Sequence, residues 1–155
     1  LAIDPYFIYA KAPETAKLIK LARDTNNSMP GFVCENVRKI IKKGKIAILG
    51  VSYKGNTGDD RESPAYEIIA ELENDGYEIA IHDPHLERDN LVSFAEAIDG
   101  ADLILILCDH NEFKHPDYEL ISKKMENPII FDTKNIIYKV PDDIKLYNYG
   151  NLYTI

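Results

Sequence analysis

From residue 45 onward, the sequence alternates between short apolar runs and amphipathic segments. The apolar runs are 45–50, 77–83, 103–108, 128–132 and a short fifth run at 146–149. The amphipathic segments between them are 64–75, 91–98 and 117–125. Apolar side chains recur in those segments at helical spacing. Continuous apolar strands joined by helices are typical of a parallel sheet covered on both faces. The pattern therefore predicts an α/β fold of this kind.

Residues 1–43 follow a different pattern, which predicts helices instead of strands. One helix is expected to start near Pro13, and a second near Pro30, since proline suits a first helical turn. The second helix carries an apolar stripe, formed by Val33, Val37, Ile40 and Ile41. We expect a helical arm at 1–43 and a sheet domain at 44–155. An arm with so much apolar surface favours a homodimer interface at residues 14–43.

Charge and composition narrow the class of protein. Acidic residues outnumber basic ones by 26 to 18, so the formal net charge is −8, which argues against a nucleic-acid partner. The longest apolar run, 103–108, is far too short to span a bilayer, so no membrane partner is expected. The two cysteines form no CxxC pair and the four histidines show no metal-ligand spacing, so we expect no metal. A cytoplasmic location follows as the expectation for such a chain.

A long glycine-rich connection follows the first strand. It reads GVSYKGNTG over residues 50–58 and continues to Ser63. It does not match the dinucleotide fingerprint, because Ser52 replaces the second glycine, nor the P-loop, because Asn56 stands where lysine is required. It is either a flexible connection or a ligand loop. Its unusual length and its position after a parallel strand favour the ligand loop.

Three cations follow the carboxyl ends of predicted strands. Lys54 and Arg61 lie in the glycine-rich connection, and Lys134 follows the fourth strand. Ser63 and Pro64 are expected to cap the next helix and to fix its N-terminus near these cations. In a chain with a net charge of −8, three cations at one sheet edge predict a local pocket for a phosphorylated ligand.

Other polar residues after strands have plainer interpretations. Asp83 stands where a dinucleotide fold carries its ribose-binding acid, but without the glycine fingerprint we interpret it as a turn residue. Cys108 and His110 could form a catalytic pair, yet near neighbours on one segment seldom face each other. We interpret Cys108 as a buried strand residue and His110 as a loop residue.

Four segments together resemble the C-terminal nucleotide-sugar-binding domain of the UDP-glucose/GDP-mannose dehydrogenase family. They are LGVSYKGNTGDDRESPA (49–65), IAIHDP (79–84), LILCDHNEF (105–113) and FDTKN (131–135). Two earlier segments, DPYFIYAK (4–11) and LARDTNNSMP (21–30), resemble the family's central dimerisation helices. The resemblance implies a Rossmann-like sheet domain, preceded by a helical dimerisation segment. It also implies a separate N-terminal domain that binds NAD.

The resemblance further implies an activity. Family members oxidise the C6 alcohol of a nucleotide sugar to a carboxylate, by two hydride transfers to two NAD molecules, through a cysteine nucleophile. Asp4 matches the family's aspartate that helps to activate the hydrolytic water, and the nucleophile is expected just before Leu1. The chain is thus expected to be a fragment that is inactive alone. A free-standing, non-catalytic nucleotide-binding module is the alternative.

Individual site residues follow from the same resemblance. Tyr53 and Lys54 match the aromatic–lysine pair that contacts the substrate, and Lys134 takes the place of a second basic substrate contact. Arg61 matches the arginine that reaches NAD on the other domain. Gly55 departs from the proline or lysine of many members and leaves the rigidity of the loop open.

The same resemblance bears on which sugar is bound. UDP-glucose-specific members carry lysine before the catalytic aspartate, where this chain has Ile3. Together with the segments at 4–11 and 21–30, this favours UDP-N-acetyl-D-mannosamine as the substrate. UDP-glucose and UDP-N-acetylglucosamine remain alternatives.

Overall fold

The computed structural model describes residues 4–155. The expectations that concern Leu1 and Ile3 lie outside these residues. Five strands form one sheet: β1 (Lys45–Leu49), β2 (Glu78–His82), β3 (Leu103–Ile106), β4 (Ile129–Asp132) and β5 (Lys145–Asn148). Their order is β2-β1-β3-β4-β5, and every neighbouring pair is parallel. The predicted parallel sheet, including its short edge strand β5, is confirmed.

Six α-helices accompany the sheet within the described residues. They are α1 (Asp4–Lys11), α2 (Lys17–Asn27), α3 (Met29–Ile40), α4 (Ala65–Asn74), α5 (Phe94–Ile98) and α6 (Tyr118–Lys124). Helices α3 and α4 pack on one face of the sheet, and α5 and α6 pack on the other. The sheet is therefore covered on both faces, as predicted. Within residues 4–155, no helix is both long and apolar enough to cross a lipid bilayer.

The central strands are buried because alternate side chains serve opposite faces. In β1, Ile46 and Ile48 join the core with α3 and α4, while Ala47 and Leu49 join the core with α5 and α6. All four residues of β3 are fully buried. Each large aliphatic side chain buried in this way contributes about 1.5–3 kcal/mol to folding. This rigid double layer fixes the loops at the ends of the strands.

The apolar stripe of α3 packs inside the chain, which corrects the argument for an exposed stripe. Val33 and Val37 are 3% and 0% exposed and belong to the core cluster that includes Ile68 of α4. Arg38 of α3 also pairs with Glu71 of α4, at 2.6 Å. A stripe pattern marks an apolar face but does not say what covers it, and here the sheet domain covers it. Helix α3 therefore packs as part of the sheet's outer layer, whereas the division at residue 43 stays a prediction.

Helices α1 and α2 differ from α3, because neither contains a buried residue. On α2, Leu18 is 80% exposed and Leu21 is 62% exposed. The apolar surface within residues 14–43 that is accessible to a partner lies mainly on α2.

Candidate functional site

The strand order reverses next to β1, because β2 lies on one side of β1 and β3, β4 and β5 lie on the other. In open parallel sheets, ligands bind outside the carboxyl ends of the strands at such a point. The loops that leave this edge are the β1–α4 loop (residues 50–64) and the segments that follow β2, β3 and β4. They contain every polar residue that the sequence singled out except Asp4.

Asp83, directly after β2, holds the start of the β1–α4 loop. Its Oδ2 accepts hydrogen bonds from Val51 N at 2.9 Å, Ser52 N at 2.9 Å and Ser52 Oγ at 3.0 Å. Its Oδ1 accepts from His85 N at 2.9 Å, which confirms the predicted turn. Burial alone would raise the pKa of Asp83, but hydrogen bonds from the three backbone N–H groups outweigh it and lower the pKa. Both oxygens of the ionised Asp83 side chain already accept hydrogen bonds from the protein, so neither is available to a ribose hydroxyl.

His110 continues this anchor towards the middle of the loop. Its side chain is fully buried, with Nε2 3.2 Å from Asp83 Oδ2, while its Nδ1 accepts the N–H of Asn56 at 2.9 Å. An acceptor Nδ1 assigns the ring proton to Nε2, which donates it to Asp83. His110 is a loop residue, as predicted, but its link to the β1–α4 loop was not foreseen. The one available signal was a histidine four residues after the end of the fully buried strand β3.

Two further contacts tie the β1–α4 loop to the segment after β3. The N–H of Gly55 donates to Asp109 Oδ1 at 3.1 Å, and Asn111 N donates to Asn56 Oδ1 at 2.9 Å. A Cβ atom on Gly55 would lie 2.6 Å from both the carbonyl oxygen and Oδ1 of Asp109. Glycine at this position therefore lets the two loops approach closely. The loop is held by contacts, which answers the question of rigidity that Gly55 raised.

Tyr53 and Lys54 lie between these anchors. The N–H of Tyr53 donates to the carbonyl of Asp59 at 2.8 Å, and the carbonyl of Lys54 accepts from Thr57 Oγ1 at 2.7 Å. Their side chains are exposed, and that of Tyr53 is 57% exposed. Tyr53 also lines a cavity of about 600 Å³, together with Arg23, Asn26, Asn27, Pro30, Glu62, Ser63, Pro64 and Glu67.

Lys134 is fixed by the aspartate that ends β4. Buried Asp132 accepts the N–H groups of Lys134, Ile136 and Ile137 at 2.9, 2.7 and 2.8 Å, so the backbone turns sharply there. Lys134 lines a smaller cavity of about 260 Å³ with Thr133, Tyr149, Leu107 and residues of α3 and α4. The two cavities share Asn26, Pro30 and Pro64, next to the N-terminus of α4.

The structure brings together only some of the predicted site residues. Tyr53 and Lys134 line adjoining cavities, whereas Lys54, Arg61 and Asp4 are not among the described residues that line either cavity. Asp4 is exposed at the start of α1. The expected cap also differs slightly, because α4 begins one residue later than predicted. Ser63 Oγ accepts from Ala65 N at 3.4 Å instead of capping the first turn directly.

Arg61 points into solvent and pairs within its own loop. Its Nε and Nη2 lie 2.8 and 2.7 Å from the two oxygens of Asp59, and its side chain is 86% exposed. These hydrogen bonds lower the pKa of Asp59 to about 2. The neighbouring Asp60 accepts from Tyr66 Oη at 2.7 Å and from Arg88 at 3.1 Å, which ties this end of the loop to the body of the domain.

Neither cysteine has a reactive thiol. Burial raises the pKa of Cys34 to about 12 and that of Cys108 to about 11, so both are neutral thiols. Among the described residues, His85, His110 and Glu112 bring possible ligand atoms within 4.8 Å of one another. Both nitrogens of His110 already take part in hydrogen bonds, so this group is accounted for by the loop contacts.

NAD, which the family resemblance implies, does not fit the first crossover of this sheet. The β1–α4 loop carries Ser52 where the dinucleotide fingerprint needs glycine. The carboxylate of Asp83, at the position of the ribose-binding acid, is saturated by protein donors. Arg61, later in the same loop, is exposed to solvent.

Fold and site together define a doubly wound α/β domain of the nucleotide-binding class. The family model described as "UDP-glucose/GDP-mannose dehydrogenase family, UDP binding domain" matches residues 47–139. The chain belongs to the UDP-glucose/GDP-mannose dehydrogenase family.

Individual relatives agree with this assignment. A UDP-N-acetyl-D-mannosamine dehydrogenase of Methanocaldococcus jannaschii is 49% identical over 145 residues, which cover 88% of this chain and 34% of the relative. Two solved structures superpose well. The UDP-N-acetyl-mannosamine dehydrogenase Cap5O of Staphylococcus aureus gives a TM-score of 0.87 at 43% identity, over 99% of this chain and 38% of that one. The UDP-D-ManNAc dehydrogenase of Pyrococcus horikoshii gives 0.88 at 35% identity, over 97% and 37%. The chain thus spans about a third of the length of these relatives.

Proposed function

We propose that this chain is the nucleotide-sugar-binding part of an NAD-dependent UDP-sugar dehydrogenase. Its substrate is UDP-N-acetyl-D-mannosamine, which is oxidised at C6 to UDP-N-acetyl-D-mannosaminuronate. The observation that carries the proposal is the 49% identity to the UDP-N-acetyl-D-mannosamine dehydrogenase of M. jannaschii. UDP-glucose and UDP-N-acetylglucosamine are the alternative substrates within the same family.

Substrate binding is assigned to Tyr53, Lys54 and Lys134. The two lysines follow β1 and β4 at the carboxyl edge of the sheet, where a diphosphate would be held by opposite charge. Hydrogen bonds to charged groups contribute about 1.5–3 kcal/mol each. Tyr53 offers an exposed aromatic ring beside a cavity, a surface on which a base or a sugar can stack.

NAD is proposed to be held mainly outside these residues, since the β1–α4 loop does not fit it. When bound, two successive NAD molecules would each accept one hydride, and together they would take the alcohol to the carboxylate. Arg61, exposed and oriented by Asp59, is assigned to contact NAD. Asp4 is assigned to help activate the water that supplies the second carboxylate oxygen. Because the loop carries Ser52 and its neighbouring acid is saturated, we propose that this chain alone does not reduce NAD.

The assembly is proposed to be a homodimer through residues 14–43. With α3 packed on the sheet, support for this interface comes from α2, where Leu18 and Leu21 are exposed beside Ala22 and Met29. Exposed apolar patches of this kind mark interfaces. The two free cysteines fit a reducing compartment, so the cytoplasm is the proposed location.

A non-catalytic nucleotide-binding module is the second candidate. It is favoured by the poor fit of NAD to the first crossover, which leaves this sheet without a dinucleotide site of its own. Both candidates require UDP to bind. They differ in whether Arg61 matters to oxidation when the NAD-binding part is present.

Calorimetric titration of the chain with a ligand panel tests the proposal. The panel contains UDP, GDP, UDP-N-acetyl-D-mannosamine, UDP-N-acetylglucosamine and UDP-glucose. We expect UDP to bind at least about tenfold more tightly than GDP, since a well-placed pair of hydrogen bonds to a base edge discriminates against the wrong base by about 1–3 kcal/mol. UDP-N-acetyl-D-mannosamine is expected to bind most tightly of the three sugars. No measurable binding of UDP would overturn the proposal.

A further inference from the structure

We infer that Asp83 and His110 are positioning residues, which hold the Tyr53–Lys54 segment of the β1–α4 loop in the conformation that receives the diphosphate. This inference rests on the proposed function, because it assigns a role to the loop that would hold UDP. It concerns residues that contact the loop and not the ligand. Neither Asp83 nor His110 lines either of the two described cavities.

The anchoring contacts lie on both sides of the Tyr53–Lys54 segment. Asp83 binds the loop at Val51 and Ser52, and His110 binds it at Asn56. Tyr53 and Lys54 are the residues that separate these attachment points, with Gly55 held in addition by Asp109. The anchors therefore bracket the two residues assigned to the substrate on both sides.

The composition of the loop leaves it conformationally free unless other residues hold it. Residues 50–58 include three glycines and one asparagine, and Asn56 itself has a positive φ of 59°. Such a sequence has much conformational freedom to lose, and a ligand would have to order the loop on binding. Anchors that order the loop in advance reduce that cost, so a preorganised Lys54 binds a diphosphate more tightly.

Asp83 and His110 form a buried polar network. The side chains of Asp83 and His110 are both 0% exposed, and all their hydrogen bonds except the one from His85 N reach residues distant in sequence. A buried charge stabilises a fold only when its partners are complete, and apolar residues often serve stability as well. A network aimed at one loop is therefore better explained by the position of that loop than by the stability of the core.

Two variants separate the two hydrogen bonds of His110. Glutamine places its Nε2 amide near the original Nε2, so His110→Gln keeps the donor to Asp83 and loses the acceptor for Asn56. Asparagine places Oδ1 near the original Nδ1, so His110→Asn keeps the acceptor and loses the donor. His82→Gln is the matched control, because the side chain of His82 contacts the carbonyl of Val92 at 2.9 Å and not the loop.

The experiment measures UDP affinity of the chain by calorimetry, in a cycle with Lys54→Ala. We expect His110→Gln to weaken UDP binding about tenfold, and His110→Asn and His82→Gln to weaken it by less than about threefold. Lys54→Ala is expected to reduce UDP affinity by a clearly smaller factor in the His110→Gln background than in the wild type, because Lys54 is already displaced there. Hydrogen exchange of the Asn56 amide is expected to accelerate in His110→Gln only.

The outcomes separate this inference from the proposed function. If the wild type does not bind UDP, the proposed function is overturned, and the assignment of this loop with it. If the wild type binds UDP and the losses from His110→Gln and Lys54→Ala are additive, the inference is overturned and the function stands. Should His110→Gln fail to fold, Ser52→Ala replaces it. This change removes the hydrogen bond from Ser52 Oγ to Asp83 Oδ2 and is expected to give about a threefold loss of UDP affinity, with the same coupling to Lys54. Additivity of that loss with the loss from Lys54→Ala overturns the inference equally.

Discussion

Arg61 forms a bidentate ion pair with Asp59, two residues before it. Its Nε and Nη2 donate to the two carboxylate oxygens at 2.8 and 2.7 Å. The pair is solvent-exposed, so it contributes little to folding. Its effect is on direction, because a guanidinium held by both nitrogens keeps one orientation. An oriented, exposed arginine suits the contact with a separately bound cofactor that we propose.

This ion pair gives a prediction for titration. Hydrogen bonds from Arg61 lower the pKa of Asp59 to about 2, so the pair forms above that pH and is lost as the pH falls through about 2. NMR titration of the Asp59 carboxyl carbon is expected to show a midpoint near this value. In the control variant Arg61→Gln, the midpoint is expected to return towards about 4. A midpoint near 4 in the wild type would contradict the pairing.

The lowered pKa of Asp83 predicts acid sensitivity. Since the folded value lies below the unfolded value of about 3.9, Asp83 stabilises the fold above that pH and loses this effect as the pH falls through its folded pKa. At neutral pH, Asp83→Asn is expected to lower the free energy of unfolding by about 1–3 kcal/mol. Urea unfolding at neutral pH and in acid measures the difference. The difference in free energy of unfolding between the wild type and Asp83→Asn should shrink in acid. A larger difference in acid would contradict a lowered pKa of Asp83.

Both thiols are predicted to be inert in the folded protein. Burial raises the pKa of Cys34 to about 12 and that of Cys108 to about 11, so almost no thiolate exists near neutral pH. A chromogenic disulfide reagent is expected to label neither cysteine in the native chain and both after unfolding in guanidinium. Rapid labelling of native Cys108 would reopen its interpretation as a nucleophile.

Two glycine-to-alanine changes are predicted to affect different quantities. Gly55→Ala is expected to weaken UDP binding, and Gly31→Ala is expected to raise stability alone. In Gly55→Ala, the new Cβ would lie 2.6 Å from Asp109, so the loop must move away from the segment after β3. Overpacking of this kind costs the fold roughly 1–3 kcal/mol. We expect the displaced loop to bind UDP about tenfold more weakly. In Gly31→Ala, no atom lies within 4 Å of the new Cβ within helix α3, so stability is expected to rise by about 0.5–1 kcal/mol with UDP affinity unchanged. Equal UDP affinity in both variants would contradict the role of the close approach.

The dimer proposal predicts a specific dependence on α2. Leu18 and Leu21 are 80% and 62% exposed, so Leu21→Glu is expected to convert a dimer into a monomer of about 17.6 kDa. Light scattering coupled to gel filtration measures the mass. Tyr138→Glu, at another exposed aromatic residue, is the matched control and should leave the dimer intact. A monomeric wild type at micromolar concentration would refute the proposal.

The sequence was sufficient to locate most of the sheet. All five strands lie within one or two residues of the predicted apolar runs. A buried strand such as β3 consists only of apolar residues, so the run itself marks where the strand begins and ends. The same local pattern could not tell what covers the stripe of α3. Val37 has the same spacing whether it faces a partner or its own sheet, and only the tertiary packing decides.

The candidate site was predictable in part for a related reason. Lys54 and Lys134 were found because they follow strand ends, and parallel strands end at one edge. The link between His110 and Asn56 joins residues 54 positions apart and leaves no local pattern. Asp83 was correctly interpreted as a turn residue, but one carboxylate oxygen serves the turn and the other serves the distant loop.

Lys54 is proposed to hold the UDP-sugar while Arg61 contacts NAD, and UDP binding by single variants tests this division of roles. UDP is titrated calorimetrically into the wild type, Lys54→Ala and Arg61→Ala, with circular dichroism to verify folding. We expect UDP affinity to fall by about tenfold to a hundredfold in Lys54→Ala and by less than about twofold in Arg61→Ala. Equal losses in the two variants would contradict this division of labour, and no loss in Lys54→Ala would contradict the site itself.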